Sequence, residues 1–166
     1  MGKVLKKSIE FKDVLSAYLQ GEMGGGGKLE SILKALNIER ENLDTSITDW
    51  SAIKTRGIQE IKRSTDPRSA LRMIIREILP QINMGRVIIV IHFCFSVSKA
   101  NIPLLENDQI LEATCQEIRN LRVDEWIKSN DGWVQFLRTN NDNNNQFGFC
   151  FGLLLIAIVV VFLFKM

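Results

Sequence analysis

Arg86 stands alone at the head of a long apolar run, "GRVIIVIHFCFSV" (Gly85–Val97). Burying such a cation unpaired is costly, so packing explains it poorly and a binding role is favoured. A second feature is "DEWIKSNDGWVQFL" (Asp124–Leu137), with Trp126 and Trp133 seven residues apart. One continuous helix would set both tryptophans on one face, but Asn130, Asp131 and Gly132 favour a turn and a helix restart. The corner is either core or shaped for a partner. Other reactive residue types are sparse. His92, the single histidine, lies in the apolar run and reads as a satisfied core residue. Cys94, Cys115 and Cys150 are far apart, which fits neither a disulfide framework nor a zinc site and favours a reducing compartment. "GEMGGGGK" (Gly21–Lys28) lacks the Lys-Ser/Thr of a phosphate loop, and no nucleophile elbow or metal-spaced cluster occurs. The chain is therefore expected to be no enzyme and to carry no cofactor or metal. A net charge of +2 gives no reason to expect nucleic acid as a partner.

Helices must position these residues. Phe11, Val14, Leu15, Tyr18 and Leu19 recur at helical spacing within residues 9–20. Leu29, Ile32, Leu33 and Leu36 predict a second amphipathic helix ending near Asn37, with polar chain following to Thr48. A third helix is expected over about Trp50–Arg63, and a fourth over 68–79 after the start signal "STDPRS", stopped by Pro80. The run Gly85–Val97 is rich in β-branched residues, which favours a strand. No partner strand exists elsewhere to satisfy its edges, so a buried central helix is the better reading. Residues 107–121 form a further helix. Asn140–Asn145 ("NNDNNN") is polar spacer, and "FGFCFGLLLIAIVVVFLF" (Phe147–Phe164) is 18 residues without a charge, enough to cross a bilayer core of about 30 Å. The expected layout is an all-α bundle over residues 1–139, an Asn-rich linker over 140–146 and a C-terminal membrane anchor over 147–166.

Three stretches in order carry a family resemblance. "INMGRVIIVIHF" (Ile82–Phe93) resembles the BH-1 motif of the Bcl-2 family of apoptosis regulators, commonly Asn-Trp-Gly-Arg before apolar residues. "EWIKSNDGWVQF" (Glu125–Phe136) resembles BH-2, commonly Trp-Ile, a polar gap, then Gly-Gly-Trp. "KDVLSAYL" (Lys12–Leu19) resembles BH-4, and a tail anchor is a family habit. Met84 stands for the usual tryptophan and Asp131 for the first glycine. "LESILKALNIERENL" (Leu29–Leu43) takes the BH-3 place, with Leu29, Leu33 and Leu36 on its stripe. Its Gly-Asp pair is Asn37-Ile38, and its fourth apolar position is Arg40, so it is not expected to serve as an exported ligand.

The resemblance implies a Bcl-2-like bundle with an apolar central helical hairpin (Gly85–Val97 and Asn107–Leu121). It also implies a hydrophobic groove that receives the BH-3 helix of a pro-apoptotic partner. Arg86 would pair with the ligand's aspartate at the groove rim, Asn83 would cap the central helix or donate to the ligand, and Gly85 would admit the ligand backbone. Ile74, Ile78, Val90 and Phe93 would form walls and floor, although all four would be core in any helical bundle. Trp126, Gly132 and Trp133 would support the groove, with Gly132 starting a helix tightly and Trp133 bracing the end near Arg86. The implied role is pro-survival, at the mitochondrial outer membrane facing the cytosol. The endoplasmic reticulum membrane and the cytosol are the other compatible locations. A homo- or heterodimer is compatible too, and a Bax/Bak-like effector that permeabilises the outer membrane is the alternative.

Overall fold

The computed structural model describes residues 8–22, 26–46 and 48–141. Among these, all regular structure is helical: α1 (Phe11–Gln20), α2 (Gly27–Ser46), α3 (Thr48–Arg63), α4 (Pro67–Ile78), α5 (Met84–Lys99), α6 (Asn107–Asn120), α7 (Val123–Ser129) and α8 (Gly132–Asn141). The expected anchor, Phe147–Phe164, lies outside the described residues, as does the linker beyond Asn141. Among the described residues no helix is long and apolar enough to cross a membrane.

Local signals set most of the boundaries. Asp66 accepts from the backbone N–H of Ser69 at 3.2 Å, and Pro67 occupies the first turn, which starts α4. A reciprocal capping box, Glu10 with Asp13, starts α1. Gly21 ends α1 at φ +70°, a conformation that costs a side-chain-bearing residue about 1–2 kcal/mol.

The β-branched run folds as α5, and every residue from Val87 to Cys94 is buried. A helix with no solvent face belongs at the centre, and α5 packs against α1, α3, α4, α6 and α8. Helical hydrogen bonding satisfies its backbone within the segment, which a lone strand could not do. Its sequence neighbour α6 is amphipathic rather than apolar. Ile110, Ala113, Cys115 and Ile118 face in, while Asp108, Glu112, Gln116 and Arg119 are exposed. The described residues thus hold one apolar central helix, not an apolar hairpin.

Helix α2 runs nine residues past its expected end at Asn37, reaching Ser46. The polar stretch still has an inward face. Leu43 is buried, and Arg40 lays its guanidinium 4.2 Å from the centroid of the Phe95 ring. A cation stacked on an aromatic ring fills a place where the helical stripe would otherwise put an aliphatic residue. Glu39, on this same half of α2, is only 6% exposed, and burial pushes its carboxyl up to about 7.

A buried ion cluster ties α4 to α6. Glu117, 1% exposed, accepts from Arg72 Nε at 2.8 Å and from Arg76 Nε and Nη2 at 2.9 and 3.1 Å. The hydrogen bond from Arg76, helped by Arg72, holds the Glu117 carboxyl below its ordinary value.

Candidate partner-binding site

The structure gathers part of the expected site where α4 ends, α5 begins and α8 begins. Asn83 is the N-cap of α5, its Oδ1 accepting from the Arg86 N–H at 2.9 Å. Gly85 lies against that cap, since a Cβ there would come 3.3 Å from Asn83 Oδ1. A side chain at Gly85 would therefore press on the capping oxygen. Arg86 reaches back to α4, where its Nη1 donates to the Ile78 carbonyl at 3.0 Å. That carbonyl is one of the last of its helix, so the cation also sits favourably at the negative end of the α4 dipole. Arg86 forms no ion pair among the described residues, and its Nε is buried without a hydrogen-bond partner. Burial draws its pKa below the ordinary arginine value.

Met84 connects this junction to the tryptophan corner. A Cβ on Gly132 would lie 2.6 Å from Met84 Sδ and 3.3 Å from Ile127. A side chain there would press on Met84 and Ile127, so glycine lets the first turn of α8 seat closely on the head of α5. Gly132 therefore starts α8 tightly, and the thioether of Met84 fills the contact. Asp131 precedes it at φ +49°, and its carbonyl accepts the N–H of Gln135 at 3.0 Å. Glycine would suit that left-handed position best, and aspartate is among the few other residues that tolerate it.

The two tryptophans serve different neighbours. Trp133 is buried and its indole N–H donates to the Ile9 carbonyl at 3.2 Å, just ahead of α1. Nearby, Asp124 Oδ1 accepts from the Phe11 N–H at 2.8 Å. The α7–α8 corner thus clamps the start of α1. Trp126 is partly buried against the core on α7, and its carbonyl accepts from Asn130, which closes that helix.

The expected walls and floor are all buried: Ile74 and Ile78 on α4, Val90 and Phe93 on α5. Ile74 and Phe93 meet under α3 at Gly57, where a Cβ would come 2.7 Å from the Phe93 ring and 3.9 Å from Ile74 Cδ1. Helix α3 therefore lies on Phe93, the expected floor residue. Gly57 and Met84 are the contributions that sequence reasoning missed. The signal for Gly57 was present, because a glycine inside a helical pattern marks a close approach. Gly57→Ala is expected to cost about 1–2 kcal/mol, overpacking against Phe93 outweighing the gain in helix propensity. Urea unfolding measures it, and an unchanged midpoint would mean that α3 does not rest on Phe93.

Away from this junction, His92 is fully buried and neutral, its pKa driven down to about 3 by burial. Its Nδ1 lies 3.2 Å from the Tyr18 hydroxyl, which also receives Arg40 Nη1 at 3.0 Å. Cys94 and Cys115 are buried free thiols. No family model, no curated protein and no solved structure matches the chain.

Proposed function

We propose that the protein is a Bcl-2-like regulator of apoptosis that binds the amphipathic BH-3 helix of a pro-apoptotic partner, in a pro-survival role at the mitochondrial outer membrane. The observation that carries this reading is the state of Arg86. A half-buried guanidinium at the head of the central helix has no carboxylate among the described residues, and its Nε is unsatisfied. A ligand aspartate would supply the missing acceptor, and Nη1 would stay on the Ile78 carbonyl. The direct contact between Met84 and Gly132 supports it further, because it joins the BH-1-like and BH-2-like stretches in space. The inward use of Arg40 supports the sequestering role, since α2 carries no Gly-Asp pair and commits its stripe to its own core. Attachment to the membrane by Phe147–Phe164 belongs to the same proposal.

Because α3 covers Phe93 at Gly57, a ligand helix that uses this residue needs α3 displaced, which lowers apparent affinity. The test is titration of a labelled BH-3 peptide against wild type, Arg86→Ala and Arg86→Lys. Loss of a hydrogen bond to a charged group is worth about 1.5–3 kcal/mol, so Arg86→Ala should weaken binding roughly 10- to 150-fold. Arg86→Lys should retain part of it. Equal affinity for wild type and Arg86→Ala refutes the site. Cytochrome c release caused by expression alone would refute the pro-survival role and favour an effector.

A further inference from the structure

A cleft on another part of the molecule shares no residue with the Arg86 junction. Helices α2, α3 and α5 enclose a cleft of about 490 Å³, within the size range of small-molecule sites. It reaches the surface at Ser51, Thr55 and Lys99, which are exposed. Among the described residues three cations line it, Arg40, Lys54 and Lys99, against one carboxylate, Asp44. Asp44 is already bound to Lys54 at 2.8 Å. Arg40 and Lys99 have no carboxylate among the described residues, yet both converge on one ring, 4.2 and 5.2 Å from the Phe95 centroid.

The deepest group is His92, whose tautomer follows from its neighbours. A guanidinium can only donate, so the Tyr18 oxygen accepts from Arg40. Tyr18 keeps its own proton, burial pushing its pKa up to about 12, and His92 Nδ1 is the acceptor within reach. With Nδ1 accepting, Nε2 carries the ring proton. That N–H is buried with no hydrogen-bond partner among the described residues. An unsatisfied buried donor is costly, so a ligand acceptor there would be favoured.

We propose that this cleft binds a phosphate ester, with Arg40, Lys54 and Lys99 around the phosphate, the Nε2–H of His92 beneath it, and Trp50 and Phe95 against the organic part. Among the described residues the lining is rich in donors and its one acid is engaged, so an occupant that brings acceptors and negative charge fits it. A phosphate offers several oxygens in different directions and up to two charges, matching the two cations left over after Asp44 pairs with Lys54. The source is either a soluble phosphomonoester or a phospholipid headgroup.

The chain has one histidine, so ring-¹⁵N-histidine gives one Nε2 resonance that reports on this cleft alone. The full chain in maltoside micelles would be titrated with glycerol 3-phosphate, inorganic phosphate and acetate, then reconstituted in phosphatidylcholine nanodiscs with and without phosphatidylglycerol. A saturable Nε2 shift is expected with glycerol 3-phosphate or with phosphatidylglycerol, the responding arm identifying the source. Lys99→Gln, at an exposed position where folding is not at stake, should weaken the response severalfold, and Arg40→Gln with Lys99→Gln at least tenfold. Three outcomes overturn the proposal: an Nε2 signal indifferent to every phosphate probe, an identical response in Lys99→Gln, or acetate acting at the same concentration as glycerol 3-phosphate.

Discussion

Changing Arg72 and Arg76 together to methionine is expected to lower the unfolding free energy by about 3–5 kcal/mol, because it leaves Glu117 buried and unpaired. Glu117 is 1% exposed and draws its hydrogen bonds from these two arginines, so no solvent replaces them. Adding Glu117→Met to the same background should restore most of the loss, since an apolar replacement for a whole buried ion cluster is often neutral. Guanidinium unfolding of the three proteins decides it. If the double variant is as stable as wild type, α4 is not held to α6 by this cluster. The pH dependence follows from the lowered pKa: Glu117 contributes fully above the ordinary carboxyl value of 4.5, and the contribution fades as pH falls through the lower folded value.

Glu39 should behave in the opposite sense, and Glu39→Gln is expected to stabilise the protein by about 2–3 kcal/mol at pH 8. The folded carboxyl titrates at about 7, whereas 4.5 is its ordinary value, and burial is the whole cause. Below 4.5 the group is protonated in both states and costs nothing. Between 4.5 and 7 the folded state holds the proton and the unfolded state does not, so stability falls as pH rises. Above 7 the folded protein carries the buried charge, and the full penalty applies. The gain from Glu39→Gln should therefore shrink towards zero near pH 4.5. Urea midpoints measured from pH 4.5 to 8.5 test this, and a gain that is flat with pH would show that the carboxylate is not desolvated.

The starts of α4 and α5 were legible because their signals are local. Asp66 with Ser69 and Asn83 with Arg86 are pairs three residues apart, and a cap is completed within one turn. The end of α2 was not legible. Asn37 to Thr48 reads as polar chain until the partner of Arg40 is known, and that partner is Phe95, more than fifty residues later. The apolar hairpin expectation failed for a related reason. Periodicity showed an apolar face on residues 107–121, but one apolar face is what any helix packed on a bundle needs. Arg86 was legible as an oddity, a cation opening an apolar run. Its bond to the Ile78 carbonyl was not, since nothing in the spacing of the two residues specifies which helix end the guanidinium reaches.

By itself the sequence determined most of the helical segments and the local caps that start α4 and α5. It also marked α5 as the element with no polar face, hence the centre. The tertiary structure alone decided who meets whom. Gly132 seats on Met84, Gly57 lies on Phe93, Glu117 is shared by two arginines, and Asp124 and Trp133 hold the entrance to α1 across 113 and 124 residues of chain. The physical reason is range. Helix propensity and capping act over three or four residues, whereas burial, ion pairing and close approach depend on groups that only the packed bundle brings together.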